Sequence, residues 1–154
     1  MADMTFKRTG TLNNNGSVMG ELTIGNKTWP TMERGTGHSY VRKGVYKVSM
    51  TVKTSGREVK CLCFDESRAI WTHLIHDAKD DLHSQLAGCI SPGMSKDLEG
   101  VNDCEEAMAE VFTALGGYKQ WKRCTIDIQN NMNGSPETKE EWIARRRLEK
   151  GVTD

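Results

Sequence analysis

The stretch VRKGVYKVSMTVKTSGREVKCLCF, residues 41–64, decides the fold class. In its first half β-branched and aromatic residues alternate with polar ones, so that Val48, Met50 and Val52 share one face of a strand. A Ser-Gly pair then supplies a turn, and the alternation resumes after it. The pattern predicts a β-hairpin over residues 46–64.

The segment before this hairpin, residues 4–33, consists of short β-like runs separated by turn residues, which predicts a meander. The pair Gly25-Asn26 is a candidate two-residue hairpin turn, because glycine at its first position tolerates positive φ. On the run that follows, Trp29 and Met32 are candidates for the core. The predicted strands span 4–8, 19–24 and 27–33.

The segment after the hairpin alternates strand and helix signals. Residues 69–76 predict a strand. The polar residues 77–86 show neither the helical nor the strand periodicity of apolar side chains, which is typical of a functional loop. Asn102 is the expected cap of a helix whose apolar stripe ends at Leu115, with a glutamate three residues after the cap. Residues 121–128 predict a returning strand.

These elements predict a mainly β (α+β) fold, a small sandwich or barrel with one packed helix after the cysteine segment. Residues 1–129 form one β-rich domain, and residues 130–154 form a hinge and a C-terminal helical extension that starts after Ser135-Pro136. The helix has a thin apolar stripe around Trp142. Three arrangements stay open for it: packing on the domain, extension from it, or oligomerisation.

Charge and hydropathy exclude several classes of protein. Lys plus Arg and Asp plus Glu are 21 each, so the basic footprint of a nucleic-acid-binding domain is missing. No apolar run reaches the roughly 18 residues that a membrane span needs. The start, MADMTFKRTG, lacks the apolar core of a signal peptide. We expect synthesis in the cytoplasm, with action in the periplasm requiring a release partner such as a holin.

The five cysteines are an odd number at spacings that fit no zinc finger or disulfide framework, so we expect most of them to be reduced. Cys61 and Cys63 belong to a strand face rather than to a redox pair. Burial as a small apolar side chain explains four of the five. The exception is Cys89, within AIWTHLIHDAKDDLHSQLAGCISPGM, residues 69–94.

That stretch combines a histidine, carboxylates and a glycine-flanked cysteine. A cysteine nucleophile needs a base, an exposed position and N–H groups for an oxyanion. His76 at a strand end is a natural base. Asp77, Asp80 or Asp81 can orient it. Gly88 lets the backbone turn sharply before Cys89. We expect Pro92 and the glycine after it to close this turn.

Two alternatives remain beside thiol catalysis. A metal-dependent hydrolase would use the cluster of His73, His76 and His83, although no standard ligand spacing is present and His73 points away from His76 on a flat strand. We therefore expect no metal or other cofactor. A non-catalytic virion or interaction module on the same fold is the second alternative.

Several segments together resemble a phage and bacterial family of uncharacterised small domains with an Ile-His segment and a Gly-Cys-Ile turn. The resemblance covers roughly residues 8–116. Its motifs here are Met19-Gly20-Glu21-Leu22, Thr31-Met32-Glu33, Arg42-Lys43-Gly44-Val45-Tyr46-Lys47-Val48, Leu74-Ile75-His76-Asp77 and Leu86-Ala87-Gly88-Cys89-Ile90-Ser91-Pro92-Gly93.

That family is in turn distantly similar to the L,D-transpeptidase catalytic domain, a β-rich fold that acts on peptidoglycan stem peptides. The resemblance implies a cysteine acyl-transfer enzyme, such as a phage endolysin, in which Cys89 is the nucleophile, His76 matches the strand histidine and Gly88 matches the motif glycine. Ala87 stands where the transpeptidase motif has its second histidine, and Ser91 replaces the usual arginine. His76 must therefore act alone, or with His83.

Four further residues are candidate substrate contacts. Glu33, at the Thr-x-Glu position, would face the site or pair with a cation such as Arg34. Asp77 follows the histidine, and Ser84 and Ser91 can donate hydrogen bonds to a substrate carboxylate.

Overall fold

The computed structural model describes residues 2–12, 16–34, 40–53, 59–64, 73–82, 86, 89–131 and 137–149. It contains ten β-strands, two α-helices and a 3₁₀ turn at Lys79–Asp81 in these ranges. The strands are Met4–Leu12 (β1), Val18–Ile24 (β2), Lys27–Glu33 (β3), Gly44–Lys53 (β4), Val59–Phe64 (β5), Leu74–Ile75 (β6), Ser91–Pro92 (β7), Ser95–Asp97 (β8), Gly100–Asn102 (β9) and Arg123–Ile128 (β10). The helices are Cys104–Ala114 (α1) and Lys139–Glu149 (α2).

Eight strands form one sheet in the order β6-β5-β4-β10-β1-β2-β3-β7, and β8 and β9 form a separate hairpin. Strand β1 runs parallel to β10, and the other neighbours in the sheet are antiparallel. Ile90, immediately before β7, makes a parallel bridge to Ile75 on β6. The two edges therefore meet, and the sheet is a nearly closed barrel. The prediction of a mainly β fold is confirmed.

The meander and the central hairpin are confirmed because their signals are local. In the turn between β2 and β3, Ile24 pairs with Lys27 and Gly25 has a φ of 61°. Trp29 and Met32 are both buried, as predicted, but on opposite faces of β3: Trp29 packs in the main core and Met32 in a second apolar cluster. Strands β4 and β5 pair from Val48 with Phe64 to Lys53 with Val59, whereas the turn at 54–58 lies outside the described residues.

The inward side chains of β1 to β5 and β10 form the main core together with the apolar face of α1. This core extends to Trp142 of α2, which is fully buried against Tyr46 and His73, with ring centroids 6.3 and 5.2 Å away. Helix α2 therefore packs on the barrel, one of the three arrangements left open by the sequence, and does not extend away from it over residues 137–149.

Two helix starts differ from the predictions. The N-cap of α1 is Asp103, in the left-handed conformation, and Asn102 lies in β9, where its Nδ2 donates to Asp97. Helix α2 starts at Lys139, because Thr138 caps it: the Glu141 N–H donates to Thr138 Oγ1 at 3.2 Å. The predicted start at Ser135-Pro136 lies outside the described residues.

The segment after the cysteine also differs from the prediction of a closed turn. Ser91–Pro92 is a strand, and its partners on β3 are Thr31 and Met32. Gly93 continues it, since its N–H donates to the Pro30 carbonyl at 2.8 Å. Pairing with β3 therefore keeps this backbone extended. Of the predicted strand 69–76 the structure describes only the end, with β6 at 74–75, and residues 69–72 lie outside the described ranges.

Within the described part of the chain, no helix has the length and apolar character needed to cross a bilayer.

Candidate functional site

The two strand segments that close the barrel carry the candidate residues. The Ile90 N–H donates to the Leu74 carbonyl at 2.9 Å, and the His76 N–H donates to the Ile90 carbonyl at 3.0 Å. Ile75 and Ile90 both point into the main core. Because side chains alternate along a strand, the residues on either side of these two isoleucines point to the opposite face.

His76 and Cys89 therefore share the outer face of the barrel wall. Leu74 and Cys89 contact a second apolar cluster on this face. Its buried members are Met19, Met32, Ala78, Leu86, Cys89, Val101 and Cys104. Histidine and cysteine thus come from adjacent, hydrogen-bonded segments, as the nucleophile and base hypothesis requires.

The His76 ring has a defined tautomer. Its Nδ1 lies 2.7 Å from the backbone carbonyl oxygen of Asp77. A carbonyl oxygen only accepts hydrogen bonds, so Nδ1 carries the proton of the neutral ring and Nε2 is the nitrogen that can accept one. The backbone carbonyl of Asp77 therefore orients the ring.

Cys89 is buried, with 5 % of its surface exposed, which differs from the exposed position expected of a nucleophile. His76 is covered to a similar degree, at 3 %. The second apolar cluster accounts for the burial of the thiol. All five cysteines are buried and free of disulfides, so Cys89 is not set apart from the others by exposure.

Ser91 is fully buried, and its hydroxyl has structural partners. Oγ accepts the N–H of Ala78 at 3.1 Å and donates to the Pro92 carbonyl at 3.1 Å. The hydroxyl thus joins the segment after His76 to the segment after Cys89, a role that differs from contact with a substrate carboxylate.

Glu33 lies on the other face of the sheet. Met32 pairs with Ser91 and joins the second cluster, so the adjacent Glu33 points into the barrel. Its carboxylate binds the Arg8 guanidinium in a bidentate ion pair, with Nε to Oε1 at 2.8 Å and Nη2 to Oε2 at 3.0 Å. The structure therefore does not bring Glu33 to His76 and Cys89.

The remaining predicted residues divide into two groups. Asp77 is buried and lines an open cleft of about 720 Å³ beside the site. Gly88, Ser84, His83 and Ala87 lie outside the described residues.

The cleft lies where the 3₁₀ turn meets the start of α1, and carboxylates dominate the described residues that line it. They are Asp77, Ala78, Lys79, Asp80, Asp81, Asp103, Cys104, Glu105, Glu106 and Ala109. Cys104 belongs to both the cleft and the second cluster, so the cleft reaches the packing layer around Cys89.

Asp81 and Cys104 interact at the inner end of this cleft. Burial raises the pKa of the Cys104 thiol to about 12, and the neighbouring Asp81 carboxylate adds to the shift, while the Ser91 hydroxyl opposes it. Partial burial raises the pKa of Asp81, but bonds from the Cys104 and Asp103 N–H groups and from the Cys104 thiol outweigh it and hold the pKa below its ordinary value. Cys104 is therefore a neutral thiol beside an ionised carboxylate.

Sequence reasoning considered Asp81 as a possible partner of the histidine and missed its role at α1. Oδ1 accepts the Cys104 N–H at 3.0 Å, and Oδ2 accepts the Asp103 N–H at 3.1 Å. A local capping pattern cannot show this bond, because the residues it joins are 22 and 23 positions apart.

Of the three histidines in the metal alternative, the structure describes His73 and His76, whereas His83 lies outside the described residues. Over the ranges that the structure describes, no three His, Cys, Asp or Glu side chains come close enough together to hold a metal ion. His73 faces the main core and stacks on Trp142, on the opposite side of the strand from His76.

No family model, curated protein or solved structure matches the chain.

Proposed function

We propose that this protein is a cysteine acyl-transfer enzyme acting on peptidoglycan stem peptides, as a hydrolase or a transpeptidase. Cys89 is the nucleophile and His76 the base. The His76 Nε2 takes the thiol proton as sulfur attacks a peptide carbonyl, and the ring then protonates the departing amine. Water or a second amine resolves the acyl-enzyme and releases the thiol. The substrate class comes from the resemblance to the L,D-transpeptidase domain.

One observation carries this proposal. The Asp77 carbonyl holds the proton on Nδ1, so Nε2 is the nitrogen of His76 that can accept a proton, and His76 lies on the same face of the barrel wall as Cys89. An acyl-transfer enzyme needs this arrangement of an oriented base beside a thiol, and a histidine that served only to fill space would not.

The burial of Cys89 favours a second candidate, a non-catalytic virion or interaction module. A thiol with 5 % exposure inside an apolar cluster packs as a small hydrophobic side chain does. The enzyme would turn over muropeptides and would have a reactive Cys89 thiol, whereas the interaction module would have neither property.

The test is incubation of purified protein with defined muropeptides and analysis of the products by mass spectrometry. We expect turnover in the wild type and its loss in Cys89→Ala. In His76→Gln, which keeps a polar side chain of similar size, turnover falls by about 100-fold or more, the usual contribution of a general base.

Cys124→Ala is the matched control, since Cys124 has the same 5 % exposure as Cys89 but lies on β10. It should keep wild-type turnover. Lack of turnover with every muropeptide would overturn the enzyme proposal and favour the interaction module. Undiminished turnover in Cys89→Ala would overturn the assignment of Cys89 as the nucleophile.

A further inference from the structure

Hydrogen bonds join the segment after His76 to two other parts of the chain. Ala78, two residues after His76, donates its N–H to the hydroxyl of Ser91, two residues after Cys89. Three residues further along, the Asp81 carboxylate accepts the N–H groups of Asp103 and Cys104 at the start of α1. The segment is thus fastened once to the cysteine strand and once to the helix.

The Asp81 tie completes the helix. The first N–H groups of an α-helix have no partner within it, and the Asp103 side chain makes no capping bond in this structure. Asp81 supplies the missing acceptor with both of its oxygens. Two N–H groups thus converge on one carboxylate.

The backbone around this joint is unusual on both sides. Asp80 and Asp81 have φ of 55° and 58°, and Asp103 has φ of 57°. Residues with a side chain rarely adopt this left-handed conformation, and they keep it only where surrounding bonds hold them there. The bonds from Asp103 and Cys104 to Asp81 join the two left-handed segments to each other.

We propose that Asp81 is the positioning residue of the site, holding the segment after His76 on α1 so that the imidazole keeps its place beside Cys89. This inference rests on the proposed function. Asp81 acts through the backbone of residues 76–81 and does not touch the substrate.

The test compares Asp81→Asn and Asp81→Ala with Asp97→Asn. Asp97 is a matched control, because it also accepts a backbone N–H, from Glu99 at 2.8 Å, and a side-chain N–H, from Asn102 at 2.9 Å. It lies in the β8–β9 hairpin rather than at the joint. Asp81→Asn has the same shape as the wild-type residue and decides the matter if Asp81→Ala does not fold.

We expect kcat for muropeptide turnover to fall by about 100-fold in Asp81→Asn, as for a catalytic group displaced by about 1 Å, with KM changed little. The ring resonances of His76 in ¹H–¹⁵N spectra should move in the same variant. Asp97→Asn should match the wild type in both measurements, because its hairpin does not hold the histidine segment.

Wild-type kcat together with unmoved His76 resonances in Asp81→Asn would overturn the inference. So would equal changes in Asp97→Asn, which would indicate a general loss of structure. If the wild type turns over no muropeptide, the proposed function fails, and the resonances decide the positioning role alone: moved resonances support it and unmoved ones refute it.

Discussion

Arg8 is fully buried inside the barrel and is held there by bonds to every side of its guanidinium. Besides the two bonds to Glu33, Nη2 donates to the Val41 carbonyl at 2.7 Å and Nη1 to the Asn130 carbonyl at 2.6 Å. A buried charge is tolerated when it is paired and hydrogen-bonded, and it becomes costly when one partner is removed.

We therefore expect Glu33→Ala to lower the free energy of unfolding by about 3–5 kcal/mol, because it leaves the Arg8 charge buried without its counter-ion. Urea denaturation measures this. The control is Glu149→Ala, which removes the exposed partner of Arg145 and should cost at most about 1 kcal/mol. Similar small losses in both variants would show that Glu33 does not compensate the Arg8 charge.

Cys104 makes stability depend on alkaline pH. Its pKa rises from 9.0 in the unfolded chain to about 12 in the folded protein, so the folded state retains the proton longer. Its contribution to stability is complete below pH 9.0 and is lost as pH rises towards about 12. The slope attributable to this thiol is at most about 1.4 kcal/mol per pH unit.

Denaturation curves between neutral pH and pH about 11 check this, with Cys104→Ala as the comparison. Cys104→Ala should lose less stability on alkalinisation than the wild type, whatever its starting stability. Equal slopes for the two proteins would contradict the raised pKa.

At the scale of elements, helix α2 is a short polar helix attached to the barrel at one main point. Trp142 is fully buried, whereas Leu148 on the same helix is 78 % exposed. Around Trp142, Glu137 pairs with Arg42 at 3.5 Å and with Arg145 at 3.1 Å, and Lys139 donates to the Val45 carbonyl. Since partly exposed ion pairs contribute little, the indole provides most of the attachment.

We expect Trp142→Ala to destabilise the protein by about 3–5 kcal/mol, the usual cost of removing a large buried side chain. Leu148→Ala should change stability by no more than about 0.5 kcal/mol. Urea denaturation gives both values, and hydrogen exchange should show loss of protection in 139–149 in the first variant only. Retained protection in Trp142→Ala would mean that other contacts hold the helix.

At the scale of the whole molecule, the sequence predicted the parts of the fold that have local signals. The meander, the β4–β5 hairpin and β10 follow from alternation and turn residues that lie within a few positions of each other. The closure of the barrel could not be predicted in this way. Its edges are two-residue strands, β6 and β7, which are too short to show a period, and Ile75 and Ile90 meet only in the folded chain.

In the candidate site, too, the sequence predicted the features with local signals and missed those that depend on distant contacts. Residue types and neighbours pointed to His76 and Cys89, and barrel closure brings their segments together. The sequence could not show that Ser91 and Glu33 are not available to a substrate. The Ser91 hydroxyl is already hydrogen-bonded to the backbone. Glu33 binds Arg8, which is 25 residues away in the sequence. The Asp81 bond to α1 is equally non-local.

The proposed function requires that His76 activates the Cys89 thiol, and the alkylation rate of Cys89 measures this activation directly. Native protein is treated with iodoacetamide near neutral pH, and modification of each cysteine is followed by peptide mass spectrometry. Cys89 should react faster than the four other cysteines, and His76→Gln should slow it by about tenfold or more, because only the thiolate reacts. An unchanged Cys89 rate in His76→Gln would contradict the account.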